Sequence, residues 1–164
     1  MIRLHAMTDA DFAWMLGETD AHSDGLVMPE GGLTPPEVLA MLRGVTAQVA
    51  AGEDRPVAWL ASEANVVVAM VSFTRKSPNG RYELGYGTAP ACAGRGVMTR
   101  TLAALLPLAR AQGHHGLTAE TSVDNPASQR VLEKNGFVRT GMRDDPEDGA
   151  LITWAIELNE EAEA

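Results

Sequence analysis

Between Tyr82 and Arg100 the chain reads YELGYGTAPACAGRGVMTR, and here residue types and spacing first point to chemistry. Gly94-Arg95-Gly96 precedes Met98, Leu102, Leu105, Leu106 and Ala109, which recur at helical spacing. The start of a helix carries unpaired N–H groups and the positive end of a macrodipole, so it attracts anions. Glycines just ahead of it let the backbone approach a phosphate without side-chain interference. Arg95 and Arg100 add formal positive charge. The stretch therefore reads either as a diphosphate cradle or as a plain turn before a helix. Cys92, with no base beside it in the chain, reads as a small residue ahead of a tight loop rather than as a nucleophile. His114-His115, between Gly113 and Gly116, reads as a helix-ending turn. No Cys/His/carboxylate set has ligand spacing, so no metal site is expected. A dinucleotide-binding reading of Gly94-x-Gly96, with Glu120 on the next strand, fails on two counts: Thr99 stands at the third glycine, and too little chain follows for a doubly wound sheet.

The elements that must position this stretch follow from local signals. Ile2 to His5 alternate as a short strand, and Thr8-Asp9-Ala10-Asp11 offers an N-cap for a helix reaching about Glu18. Asp20 to Leu33 is rich in glycine and reads as a mobile loop. Thr34-Pro35-Pro36-Glu37 predicts a helix with Thr34 as N-cap, Pro35 at the first helical position and Glu37 in a capping box. Gly52 closes that helix. Val57–Glu63 and Val66–Arg75 predict an antiparallel hairpin around Ala64-Asn65, and Ser77 to Gly80 form a turn into the strand Tyr82–Thr88. Pro107 falls inside the helix after the glycine loop and predicts a kink. Leu117–Val123 is a further strand. Asn125-Pro126 caps a helix that Gly136 ends, and Phe137–Arg143 and Leu151–Leu158 are the last strands. Trp14, Trp59 and Trp154 each lie in apolar context and are expected in the core. The order β-α-α-β-β-β-α-β-α-β-β predicts an α/β (α+β) domain: a mixed sheet of about seven strands with helices on both faces.

Length and composition bound what this domain does. The 164 residues predict a single domain over 1–159 with a polar tail over 160–164. The net charge of −9 argues against nucleic-acid binding and favours a cationic acceptor such as an amine or a basic peptide. No apolar run is long enough to span a bilayer, and the N-terminus has no signal-peptide core. With a single cysteine there is no internal disulfide, so a cytoplasmic protein, monomeric or homodimeric, is expected.

Two blocks then carry a resemblance. Gly94-Arg95-Gly96-Val97-Met98-Thr99 is similar to the cofactor loop of the GNAT superfamily of acetyl-coenzyme A-dependent N-acetyltransferases, and most like its branch of ribosomal-protein N-terminal acetyltransferases. The family loop runs Gln or Arg, two variable residues, Gly, one variable residue, then Gly or Ala. Ala93 and Met98 depart from it at the first and last positions. The second block, Asp124-Asn125-Pro126-Ala127-Ser128-Gln129-Arg130-Val131-Leu132-Glu133-Lys134-Asn135-Gly136-Phe137, resembles the same branch's Asn-x-x-Ser-x-x-Val-Leu-Glu-Lys-x-Gly-Phe signature.

The resemblance implies an acyltransferase that moves an acetyl group from acetyl-coenzyme A to a primary amine, on a protein or peptide N-terminus or a small molecule, by direct attack on the thioester. It also implies that the fourth and fifth strands splay apart to admit the pantetheine arm. The residues implied to hold the cofactor are Gly87, Thr88, Ala93, Gly94, Arg95, Gly96, Val97, Met98, Thr99, Asn125 and Arg130. Backbone amides near Gly87 and Thr88 are the implied partners of the thioester carbonyl, with Gly85 and Gly87 baring the main chain or merely shaping a bulge. Glu83 lies near the general-base glutamate of some histone-type members; otherwise it is a solvated residue pairing with Arg81 or Lys76. Many members donate a proton to the departing thiolate from a Tyr seven residues after the Asn, where this chain has Leu132. Ser128 is the available substitute, either toward the sulfur or back toward Asn125. Arg130 reaches a phosphate or lies exposed. His22, Asp24 and Glu30 lie on a loop that borders the acceptor pocket in this family. The competing reading on the same fold is a non-catalytic acyl-coenzyme A sensor.

Overall fold

A computed structural model describes residues 1–158; the tail expected over 160–164 and the last residue of the expected domain lie outside the described residues. The elements run β1 (Arg3–Ala6), α1 (Asp9–Met15), α2 (Pro36–Ala50), β2 (Ala58–Glu63), β3 (Val66–Lys76), β4 (Tyr82–Thr88), a 3₁₀ turn (Pro90–Cys92), α3 (Val97–Ala111), β5 (Gly116–Ser122), α4 (Pro126–Lys134), β6 (Val138–Asp145) and β7 (Gly149–Glu157). The seven strands form one mixed sheet in the order β1-β2-β3-β4-β5-β7-β6. All neighbours are antiparallel except β4 and β5, which are parallel and joined by the α3 crossover.

Side-chain alternation divides the sheet between two helix layers. Met70 and Ser72 of β3 share a cleft with Val38 and Leu42 of α2. Ala69, Val71 and Phe73 alternate onto the opposite face, toward α3, which packs on β1, β3, β4 and α4. Trp59, Phe73, Leu102, Leu105, Leu117 and Trp154 are buried in the one core between these layers. Trp14 is only partly buried and meets the His22 ring edge-on at 4.7 Å.

Local chemistry sets the boundaries. Thr8 caps α1 in a capping box with Asp11, and the helix ends at Met15, short of Glu18. α2 starts one residue later than predicted: Pro35 is the N-cap, its carbonyl accepts from the Val38 and Leu39 amides, and no side chain caps the helix, so Thr34 stays outside it. The β2–β3 turn places Ala64 and Asn65 at positive φ, as a tight hairpin requires. α3 runs unbroken through Pro107. Pro107 and Ala103, four residues earlier, are both exposed, so the carbonyl that lacks a donor lies on the solvent side of the helix. The loop from Asp20 to Leu33 is anchored rather than free: Leu26 and Leu33 are buried, and Val27 bridges Val66. No described helix is long and apolar enough to cross a membrane.

Candidate active site

β4 and β5 pair over only three positions, Tyr82–Leu117, Glu83–Thr118 and Leu84–Ala119. Beyond Leu84 they part: β5 stays paired with β7 as far as Ser122, and β4 stays paired with β3 as far as Thr88. This leaves β4 main chain facing a gap. Along an antiparallel ladder, successive residues point their N–H groups alternately toward and away from the partner strand. The Ala89 amide donates to the Val68 carbonyl (2.8 Å) and Met70 sits opposite Gly87, so the Gly87 amide is committed to β3. The amides of Tyr86 and Thr88 point into the gap instead. Within the expected stretch near Gly87 and Thr88, Gly87 leaves bare backbone with open space where a Cβ would stand, and the Thr88 N–H faces the gap. Gly85 has a different reason to be glycine, because a Cβ there would meet Thr74 Cγ2 at 2.7 Å.

The gap opens into a cleft of about 370 Å³ lined by Gly87, Thr88, Ala93, Gly94, Gly96, Val97, Met98, Thr99, Asn125 and Ser128. Gly94 and Gly96 take left-handed conformations at φ 79° and 69°, which side chains disfavour, and no atom lies near where either Cβ would be. Gly96 is the N-cap of α3, and no side chain among the described residues caps the helix. The side chains of Val97 and Met98 are buried beneath them. Among the described residues no carboxylate lines this cleft, although the chain carries a net charge of −9. Bare glycine backbone, an uncapped helix start and no acidic wall together fit a diphosphate.

The far wall of the cleft is the start of α4. Asn125 Oδ1 accepts from the Ser128 amide (3.1 Å), so Asn125 is the cap and that bond uses Ser128's main chain only. Its hydroxyl lies 2.7 Å from the Tyr86 hydroxyl, across the strand gap. Burial pushes the Tyr86 phenol above the ordinary tyrosine range, while the Ser128 hydrogen bond pulls the other way. Leu132 is fully buried in the core. Asn135, just after α4, donates from Nδ2 to the Val131 carbonyl (3.0 Å) and to the Thr99 carbonyl (3.2 Å), tying α4 to the first turn of α3.

A second cleft, of about 290 Å³, lies across β4 on the α2 side, lined by Leu33, Thr34, Val38, Leu42, Met70, Ser72 and the Gly85–Thr88 backbone. Tyr86, Gly87 and Thr88 line both clefts. Glu83 shares the face of β4 that carries Gly85 and Gly87, one pleat further from the open end, and lines neither cleft. Its carboxylate accepts from Arg75 (3.0 Å) and Thr74 (3.3 Å). The partners expected from sequence are engaged elsewhere: Arg81 pairs with Glu157, and Lys76 lies over the Tyr82 ring. A bulge between Phe73 and Arg75 brings Arg75 opposite Glu83.

Several expected residues are not brought to the clefts. Arg95 is exposed on the loop and Arg130 is exposed on α4; neither lines the cleft between the starts of α3 and α4. Arg100 is paired with Glu63 (2.7 Å). His22 is withdrawn from solvent: its Nε2 donates to Asp11 (2.5 Å) and its Nδ1 accepts from the Asp24 amide (3.1 Å), so it clamps the long loop to α1 and lines a different pocket. Cys92 is buried at the cleft wall, and neither His114 nor His115 lines that cleft. The residue that sequence reasoning passed over is Tyr86. Its alternation on β4 was visible, but its partner lies 42 residues away across a gap that only the folded sheet creates. Among the described residues no cluster could hold a metal ion.

With this geometry in view, residues 2–138 match the family model described as an acetyltransferase (GNAT) domain. No curated protein matches the chain. Among solved structures, RimL, a ribosomal L7/L12 α-N-protein acetyltransferase in complex with coenzyme A, is 19% identical, with 95% of this chain and 93% of that one covered at a TM-score of 0.69. An acetyl transferase from Salmonella typhimurium, which modifies the N-terminal serine of ribosomal protein L7/L12, is 19% identical over 96% and 95% of the two chains, TM-score 0.71. A chimera of the Vibrio cholerae spermidine N-acetyltransferase SpeG and hSSAT is 14% identical over 99% of each chain, TM-score 0.71. At these identities the likeness is one of fold.

Proposed function

The chain belongs to the GNAT family of acetyltransferases, enzymes that use acetyl-coenzyme A, and we propose that its acceptor is the α-amine of a peptide or protein N-terminus. The observation that carries this is the lining of the α2-side cleft: four apolar side chains, Thr34, Ser72 and bare β4 backbone, with no carboxylate among the described residues. A polyamine or aminoglycoside brings several positive charges that such walls would desolvate without pairing. A chain end with a small or apolar first residue brings one amine, which reacts as the neutral base. The branch signature at Asn125–Phe137 and the ribosomal-protein acetyltransferases among the similar structures support the same choice.

The cofactor, when bound, supplies an activated acetyl carbonyl and a thiol leaving group. The residues suited to hold it are Gly94, Gly96 and the first amides of α3 for the diphosphate, with Thr88 and Asn125 along the gap. The Tyr86 and Thr88 amides present the N–H groups suited to an oxygen that gains negative charge. Glu83 takes the acceptor's proton through water along the β4 face. Ser128 hands a proton to the departing sulfur.

An acceptor panel with thiol detection tests the reading. It should show turnover with N-terminal peptides and little with spermidine, free amino acids or aminoglycosides; the reverse preference would reject the peptide acceptor. Gly94→Glu adds a charge and a Cβ at positive φ, and calorimetry should record no coenzyme A binding to it.

A further inference from the structure

Tyr86 and Ser128 meet where the two clefts adjoin. Their hydroxyl oxygens are 2.7 Å apart, so one of the two donates to the other. The Tyr86 hydroxyl is also 3.5 Å from the Ser128 carbonyl, too far to compete. A phenol is much the stronger acid of the pair, so a proton passed between them runs from Tyr86 to Ser128. In that direction Ser128 keeps a proton of its own to give, and Ser128 lines the cofactor cleft.

We propose that Tyr86 and Ser128 form a two-step proton relay, in which Ser128 protonates the departing sulfur and Tyr86 restores the Ser128 proton. This rests on the acetyl-transfer reading above. The acceptor nitrogen's lone pair forms the new C–N bond, the C–S bond breaks with its electron pair going to sulfur, and the Ser128 hydroxyl proton follows to sulfur. The Tyr86 proton moves to the Ser128 oxygen, and water in the cofactor cleft, which Tyr86 lines together with Ser128, reprotonates the phenolate. The nitrogen's surplus proton leaves separately, by way of water. Burial keeps the phenol protonated at neutral pH, as a proton reservoir requires. The relay also explains how the fold manages with a core leucine at position 132: the phenol comes from β4, on the opposite wall of the gap.

Tyr86→Phe removes one oxygen and tests the assignment. Its coenzyme A affinity by calorimetry should stay at the wild-type value, while kcat falls on the order of 100-fold. The alkaline limb of the wild-type kcat–pH profile should disappear. The Tyr86→Phe, Ser128→Ala double variant should be no slower than Ser128→Ala alone, as expected for groups acting as a unit. A second probe leaves the fold intact: the chain has two tyrosines, and 3-fluorotyrosine makes both phenols more acidic. Tyr82 is stacked on Phe73 and bonded to Glu53, away from the clefts, so a shift of the alkaline limb to lower pH reports Tyr86. The fluorine resonance missing from labelled Tyr86→Phe should move when coenzyme A is added and should titrate at a different pH in Ser128→Ala. Full turnover with an unchanged alkaline limb in Tyr86→Phe, or no movement of the limb on fluorination, overturns the relay and leaves acetyl transfer standing. Wild-type protein that binds coenzyme A yet releases no thiol with any amine overturns both.

Discussion

At the scale of single residues, the cleft divides into groups held by local rules and groups held by the sheet. Gly94, Gly96, Asn125 and Pro126 follow from turn and cap chemistry within a few residues of chain, so they were legible in the sequence. Glu83 shows where that legibility stops. Alternation alone puts its side chain on the α2 face, but the bulge after Phe73 decides that Arg75 rather than Arg81 or Lys76 meets it. The pairing opposes a role as base only if it cannot be exchanged for water, and the guanidinium is itself largely exposed. Glu83→Gln should therefore lower kcat on the order of 100-fold, the low end for general-base catalysis, and leave the coenzyme A affinity unchanged. Steady-state kinetics beside calorimetry separates these, and unchanged turnover would remove Glu83 from the reaction, leaving an amine that arrives already neutral.

At the scale of elements, the cofactor cleft is made by two helix starts brought side by side, and neither start contains the reason they stay together. α3 supplies the first-turn amides, α4 supplies Asn125 and Ser128, and Asn135 joins them through its bonds to the Thr99 and Val131 carbonyls. Sequence reasoning placed both helices correctly and read Gly136 as the end of α4, but the cross-helix role of Asn135 depends on a contact 36 residues away. Asn135→Ala should cost about 1–2 kcal/mol, the range for two partly buried hydrogen bonds, seen as a lower urea midpoint. Because its bonds set the spacing of the cleft walls, coenzyme A should also bind more weakly. A variant destabilised by that amount with wild-type coenzyme A affinity would show that core packing alone, with Leu132 at its centre, fixes the walls.

At the scale of the whole molecule, the clefts lie at the open end of the β4–β5 gap and a buried ionisable cluster lies at the closed end. There His114 is nearly inaccessible, its Nε2 has no hydrogen-bond partner among the described residues, and its ring meets Phe73 and Tyr82 edge-on at 5.1 and 5.6 Å. Burial first, then Arg55, with smaller contributions from Lys76 and His115, hold its pKa below the ordinary histidine value, and Glu53 opposes them. The Glu53 carboxyl is itself held far below the carboxylate range by Arg55, with Tyr82 assisting against burial. A histidine whose folded pKa is depressed stays neutral in the native state while the unfolded chain takes up a proton, so stability is complete above about pH 6.5 and falls below it. Glu53 has the carboxylate sign: its contribution persists until the pH drops below about 4.3. Acidification also relieves the self-repulsion of a chain carrying a net charge of −9, which pushes stability the other way. Comparing urea midpoints at pH 7 and pH 5 lies inside the histidine window and outside the Glu53 window. The wild type should lose stability across that interval, and His114→Phe, which keeps a flat ring and cannot be protonated, should lose less or gain. Equal losses in the two proteins would assign the acid sensitivity to another group and leave His114 as packing alone.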